Sequence, residues 1–173
     1  MATIDKGYYF FWNGEFSQWY SSPFYDEKTK LNFNCCEQFM MYKKAEFFGD
    51  QDAMKLIMQT TDPKTQKKIG RSVVGYSDAK WNAVCELYVT YGNYLKFTQN
   101  DELLKFLYKT ADLELVEASP FDAKWGIGLH ETDPDILDTS KWGQNLLGKC
   151  IMAARTSIFN DPKYHIKSLN FQD

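Results

Sequence analysis

Apolar residues recur three and four positions apart over several stretches of the chain, which predicts helices there. Cys35 to Phe48 is the first, with Asn34 as N-cap and Gly49 as the residue just past its end. Asp50-Gln51-Asp52-Ala53 opens a second, with Met54, Ile57 and Met58 on one side. Asp62-Pro63 starts a third as a cap followed by proline at the first helical position. Lys64, Lys67, Lys68 and Arg71 follow it, a basic face open to solvent or to a phosphate. Ser77 to Trp81 begins the longest helix, where Trp81, Val84, Cys85, Tyr88 and Leu95 share a line and Gly92 lies near it. Asn100-Asp101 caps a short helix with Leu103, Leu104 and Leu107, and Leu146, Leu147, Cys150, Ile151 and Ala154 share the face of another. Strands are predicted at Tyr8–Trp12, stopped by Asn13-Gly14, at Leu31–Phe33 and at Leu113–Ala118. The stretches 16–24 and 119–145 keep no period. The pattern predicts an α+β chain, predominantly helical with a few short strands. No repeat or linker interrupts it, so one domain is expected over 1–173, with its core at 8–158 and a C-terminal tail at 159–173.

The first helix breaks its own pattern. At about 100° per residue, Lys44 falls about 20° from Glu37, and both lie in the apolar stripe flanked by Met41 and Phe48. Met40 and Phe47 take one shoulder, and Gln38, Tyr42, Lys43 and Glu46 lie opposite. Burying a charge costs several kcal/mol unless it is paired or neutralised. Lys44 leans back towards Glu37, roughly 10 Å away along the axis. Two readings fit. Glu37, three residues after Asn34, forms a capping box while Lys44 snorkels outward; or the two hold something between them.

Composition narrows the field. The 173 residues are 44% hydrophobic and 25% charged, as in ordinary soluble domains. Aromatic residues reach 17%, enough to fill a core and also to line a cleft where rings stack on bases or sugars. The net charge of −3 excludes strong non-specific binding to duplex DNA but leaves local contact with a nucleotide or a DNA end open. Met1 to Lys6 has no signal-peptide pattern, and no apolar run approaches the length of a membrane span. Cys35, Cys36, Cys85 and Cys150 all fall on predicted helices without a CxxC, and His130 and His165 are the only histidines. These read as reduced, buried thiols of a cytoplasmic protein, with no zinc site, no other metal and no cofactor.

Two further segments carry candidate chemistry. Trp125-Gly126-Ile127-Gly128 and Trp142-Gly143-Gln144-Asn145 each join a Trp-Gly step to loop-forming residues, and the second ends at a helix start, where free N–H groups suit a phosphate. Asp122 is either a turn residue or a carboxylate at a site.

Three ordered motifs now stand at compatible spacing: Glu37-Gln38 with Lys44-Ala45; Ala118-Ser119-Pro120 leading to Asp122 and Trp125-Gly126-Ile127-Gly128-Leu129; and Trp142-Gly143-Gln144-Asn145-Leu146-Leu147-Gly148 running to Met152 and Arg155. Together they resemble the NADAR family of YbiA-like proteins, from about Phe10 to Arg155. Many relatives have Glu-His where this chain has Glu37-Gln38, and the family's early Ser-Asn is Ser17-Gln18 here. The resemblance implies a YbiA-like fold, mostly helical with a few short strands. It also implies an N-glycosidase that removes ADP-ribose from guanine in DNA or cleaves ribosylamino intermediates of riboflavin synthesis.

By the same resemblance, Lys44 is the nucleophile and forms a Schiff base with the opened ribose; Glu37 moves protons or holds the ribose hydroxyls; Asp122 orients the ribose or activates water. Trp81, Trp125 and Trp142 are candidates to wall the pocket or stack on the base. Ser17, Gln38, Gly126 and Asn145 are candidates for polar contact with substrate, and Arg155 reads as a structural ion-pair partner. A non-catalytic ADP-ribose or NAD-binding module and a ligand-free helical domain are the competing readings. A pure reader needs no buried amine, and a ligand-free domain leaves Glu37 and Lys44 in the stripe unexplained.

Overall fold

Ten consecutive residues, Cys36 to Ala45, are buried in helix α1 (Cys36–Phe48). That corrects the expected one-sided stripe: Gln38, Tyr42 and Lys43 are buried along with Phe39, Met40 and Met41. The reason lies in the neighbours. Strand β4 (Leu31–Phe33) and helices α2 (Gln51–Met58), α3 (Pro63–Arg71) and α5 (Cys85–Gln99) all pack on α1. Two helix-interior glycines let them come close. A Cβ at Gly92 of α5 would stand 2.8 Å from a Phe39 ring carbon, and one at Gly70 of α3 would overlap the Met41 sulfur. Each costs its helix about 1 kcal/mol against alanine, which the burial of Phe39 and Met41 offsets at about 2 kcal/mol per side chain.

This computed structural model describes residues 3–169. The chain gathers into two compact units, one of Gln18–Asn100 and one of the segment up to Ser17 with that from Asp101 onward. No shift in composition marks either junction.

In the first unit, the local starts follow the sequence. Asp50 caps α2 by accepting from the Ala53 N–H, and Asp62 caps α3 by accepting from the N–H groups of Lys64 and Thr65. Two expectations are corrected. The N-cap of α1 is Cys35 rather than Asn34. The Asn34 side chain is taken elsewhere, donating to the Thr61 carbonyl at 2.8 Å and accepting from Gln66 Nε2 at 2.9 Å. The long helix expected from Ser77 is two, α4 (Asp78–Asn82) and α5, broken at Ala83–Val84.

Strand β3 (Phe24–Asp26), not anticipated, pairs antiparallel with β4, with Phe24 opposite Phe33. It ends in a buried charge. Burial pushes the Asp26 carboxyl up, but hydrogen bonds from the Lys28 N–H, Thr29 and Tyr91, with Lys43 nearby, outweigh that and hold it below the usual carboxylate range. A depressed folded-state value means the carboxylate stabilises the fold above its unfolded value of about 3.9 and loses that contribution as pH falls through the folded value. Asp26→Asn is therefore expected to lower stability at neutral pH and to flatten the acid limb of a Tm-against-pH curve. An acid limb as steep as wild type would show that Asp26 does not set it.

In the other unit, strands β1 (Thr3–Asp5), β2 (Tyr8–Phe11) and β5 (Glu114–Glu117) form one sheet in the order β1-β2-β5. β2 runs antiparallel to β1 and parallel to β5, with Tyr8 opposite Glu114 and Phe11 opposite Glu117. Helix α6 (Asp101–Lys109) precedes β5, and α7 (Leu146–Phe159) packs on it. Arg155 of α7 donates to Thr110 Oγ1 at 3.0 Å and to the Leu113 carbonyl at 2.9 Å, and the charge of Asp112 acts on its guanidinium. A last helix, α8 (Pro162–Leu169), occupies part of the expected tail. Its Asp161-Pro162 start repeats that of α3, with the Lys163 N–H donating to Asp161 at 2.9 Å. Residues 170–173 of that tail lie outside the described residues. No helix among the described residues is long and apolar enough to cross a membrane.

Candidate active site

The unit 18–100 holds Glu37, Gln38, Lys44 and Trp81; the other holds Ser17, Asp122, Trp125, Gly126, Trp142 and Asn145. Each group is described within its own unit.

Lys44 is 8% exposed, and its Nζ sits 4.1 Å from the centre of the Tyr76 ring. A cation over a ring face within about 6 Å is attracted to it. Tyr76 meets Phe48 edge-on at 5.4 Å, Phe48 meets Phe47 at 5.0 Å, and Phe47 lies 6.3 Å from Trp81. Trp81 is buried and stacks on Tyr88 at 5.8 Å and 14°, so one of its faces is already taken within the protein. An aromatic wall thus runs from the amine along the C-terminal half of α1.

Glu37 lies two turns earlier on α1 and is 5% exposed. It occupies the second helical position, and its N–H is taken by the Gln18 carbonyl at 2.9 Å. That corrects the capping-box reading. The box-like contact comes from Gln38, whose Oε1 accepts the Asn34 N–H at 2.7 Å. Gln38 Nε2 donates to the carbonyls of Ile57 and Thr60 at 3.1 and 3.2 Å, so the side chain ties the start of α1 to the end of α2.

Two residues near Glu37 escaped sequence reasoning. Asn93 of α5 donates to Gln18 Oε1 at 3.0 Å and accepts from the Cys36 thiol at 3.8 Å. Lys96, one turn on, has no exposed surface, and its Nζ lies 5.6 Å from the Tyr20 ring and 5.2 Å from that of Phe97. The signal was present: Val89, Gly92, Asn93 and Lys96 stand at i, i+3, i+4 and i+7 on one buried line. Tyr76, a loop residue, had no periodic signal. Burial pushes the Cys35 thiol up to about 11 and the Cys36 thiol up to about 12, with Glu37 also raising both and Lys96 opposing. All four cysteines are buried, and neither Cys35 nor Cys36 supplies a reactive thiolate at neutral pH. Among the described residues, no cluster of three or more histidine, cysteine or carboxylate side chains is placed to hold a metal.

The other unit uses its motif residues to build a loop. Asp122 Oδ1 accepts from the N–H groups of Lys124 and Trp125 at 2.9 and 2.8 Å, the turn geometry of a short acidic side chain. Gly126 passes so close to the backbone that a Cβ there would stand 2.7 Å from the Glu117 carbonyl oxygen. Asn145, left-handed at φ 50°, spans β5: its Oδ1 accepts the Glu117 N–H and its Nδ2 donates to the Leu115 carbonyl, both at 3.0 Å. Trp142 packs edge-on against Tyr8 and Phe10 and donates from Nε1 to the Ile136 carbonyl at 2.8 Å. Trp125 and Ser17 are both partly buried, and the Ser17 N–H closes a turn onto the Gly14 carbonyl at 2.9 Å.

An N-glycosidase of Acanthamoeba polyphaga mimivirus, R617, is 40% identical over 81% of this chain and 85% of its own. The Escherichia coli N-glycosidase YbiA is 29% identical over 68% of this chain and 67% of its own. The NMR structure of E. coli YbiA superposes with a TM-score of 0.71 at 23% identity, covering 91% of this chain and 88% of that one, and so shares its fold. The NADAR domain model matches residues 9–159, which takes in both units and every motif above. The chain belongs to the NADAR domain family.

Proposed function

We propose that this protein hydrolyses the bond between ribose and a base nitrogen, with Lys44 as nucleophile, and that its substrate is ADP-ribose attached to guanine in DNA. Hydrolysis of N-glycosyl bonds is the activity named for its relatives in mimivirus, Nostoc punctiforme and E. coli. The observation that carries the assignment to Lys44 is an amine with 8% exposure within the ten consecutive buried residues of α1. Such a group is shielded from water, which favours the neutral, nucleophilic form.

The Lys44 nitrogen bonds to the anomeric carbon as the glycosidic C–N bond breaks, and the bond pair leaves on the base nitrogen, which takes a proton supplied by Glu37. The new ammonium gives up a proton, the ring C–O bond opens as the ring oxygen takes up a proton, and the lysine nitrogen shares the freed pair to form the iminium. Water adds to that carbon, the C–N bond to lysine breaks, and the free sugar leaves with the amine restored.

Release of ADP-ribose from an oligonucleotide carrying ADP-ribosylated guanine, with Lys44→Ala beside wild type, tests the assignment. The expected result is turnover by wild type alone. A second reading, a small ribosylamino nucleotide as substrate, is favoured by the net charge of −3. It gains if both proteins leave the oligonucleotide intact while wild type cleaves such a compound.

Glu37→Gln keeps the shape of the side chain and removes its proton. It is expected to cost on the order of 10²-fold in kcat, as loss of a general acid does, with the unfolding midpoint near wild type. Lower stability at unchanged kcat would assign Glu37 to supporting the helix instead.

A further inference from the structure

We propose that Tyr76 is a positioning residue for the Lys44 amine: its ring face holds positive charge at Nζ, first as the resting ammonium and then as the iminium of the covalent intermediate. The second half rests on the reading of Lys44 as nucleophile; the first does not.

The geometry is specific. Lys44 Nζ stands 4.1 Å from the ring centre, well within the range of cation–π attraction. The ring is held from three directions. Its hydroxyl donates to Asp78 Oδ1 at 2.6 Å, and its edge meets Phe48 at 5.4 Å. Its backbone follows Gly75, at φ 77°, and Val74, whose N–H donates to Asp50 Oδ2 at 2.8 Å. Asp78 does more than anchor the ring. A phenol that donates to a carboxylate gains electron density, which strengthens the negative ring face that attracts a cation. The bond to Asp78, with burial second, pushes the Tyr76 hydroxyl up to about 12, so it remains a donor throughout the neutral range.

This arrangement suits a lysine that passes through a cation. Burial raises the share of neutral amine that can attack, but it gives no help to the ammonium or to the iminium that follows. A ring face 4.1 Å from Nζ supplies that help. Tyr76 itself is 39% exposed and lies on a loop, so the ring covers the amine from the solvent side.

The test varies the ring's charge distribution and leaves its shape nearly unchanged. Tyr76→Phe serves as baseline, and progressively fluorinated phenylalanines at position 76 drain the ring face. Tyr76→Leu gives cover with no ring. In the free enzyme at one fixed neutral pH, reductive methylation of Lys44 by formaldehyde and borohydride, read by mass spectrometry, is expected to speed up roughly threefold to tenfold along the fluorinated series as the ammonium loses its partner. Over the same series kcat is expected to fall by a similar factor. Methylation that is flat across the series overturns the contact itself. Methylation that rises while kcat stays flat overturns the role in turnover. Full activity in Lys44→Ala would instead overturn the nucleophile reading and leave the methylation result standing. Unfolding midpoints that agree along the series separate all of these from misfolding.

Discussion

Lys44→Ala is expected to abolish turnover, a loss on the order of 10⁴-fold or more, as removal of a covalent nucleophile does. The fold should survive. Alanine is the best helix former, and the lost packing of the lysine stem is worth about 1–2 kcal/mol. Tyr76 keeps its bond to Asp78 and its contact with Phe48 without the lysine. Lys44→Arg sharpens the result. A guanidinium can still sit on the Tyr76 ring, but it stays charged at any working pH and forms no Schiff base. Both variants are therefore expected to be inactive and folded, and borohydride with substrate should mass-label wild type alone. Activity in the arginine variant would mean that Lys44 serves only as a positive charge. Activity in the alanine variant would remove it from the chemistry.

Asn145→Ala is expected to be the most destabilising of the single changes to the motif residues, at about 3–5 kcal/mol. The estimate comes from local geometry. The side chain satisfies the Glu117 N–H and the Leu115 carbonyl, both on β5, and is itself 4% exposed. Leaving two buried backbone groups unsatisfied costs about 1–3 kcal/mol each. Asparagine also tolerates the left-handed backbone at φ 50° better than alanine does. Urea unfolding measures the loss directly. If Asn145 were instead a substrate contact, the variant would unfold at the wild-type midpoint and show a raised KM.

That contrast shows what a motif means in this protein. Gln38, Asn145 and Asp122 have the polar side chains that a ribose or phosphate site would use, and the family resemblance makes Gln38 and Asn145 candidates for substrate contact and Asp122, on its own residues either a turn residue or a site carboxylate, a candidate for orienting the ribose or activating water. In the fold, each of these side chains bonds to backbone groups of its own unit: Gln38 to the ends of α1 and α2, Asn145 to β5, Asp122 to its own turn. Gly126 and Trp142 likewise shape or pack the loop.

What the sequence determined by itself was local. Asp50, Asp62 and Ser77 each start a helix because a short polar side chain reaches N–H groups two or three residues ahead. Gly49 ends α1 at φ 77° because glycine pays no penalty there. The oddity of Glu37 and Lys44 was also legible, since helical periodicity needs only the order of residues. The tertiary structure decided what depends on distant partners. It buried every residue of α1 from Cys36 to Ala45, against neighbours from Leu31 to Gln99. It moved the cap from Asn34 to Cys35, because Thr61 and Gln66 claim the Asn34 side chain. It made Lys96 a buried cation and set Tyr76, from a loop with no period of its own, over the amine of Lys44. A periodic pattern reports which way a side chain faces along its own helix, whereas what waits for it there is set by segments far along the chain.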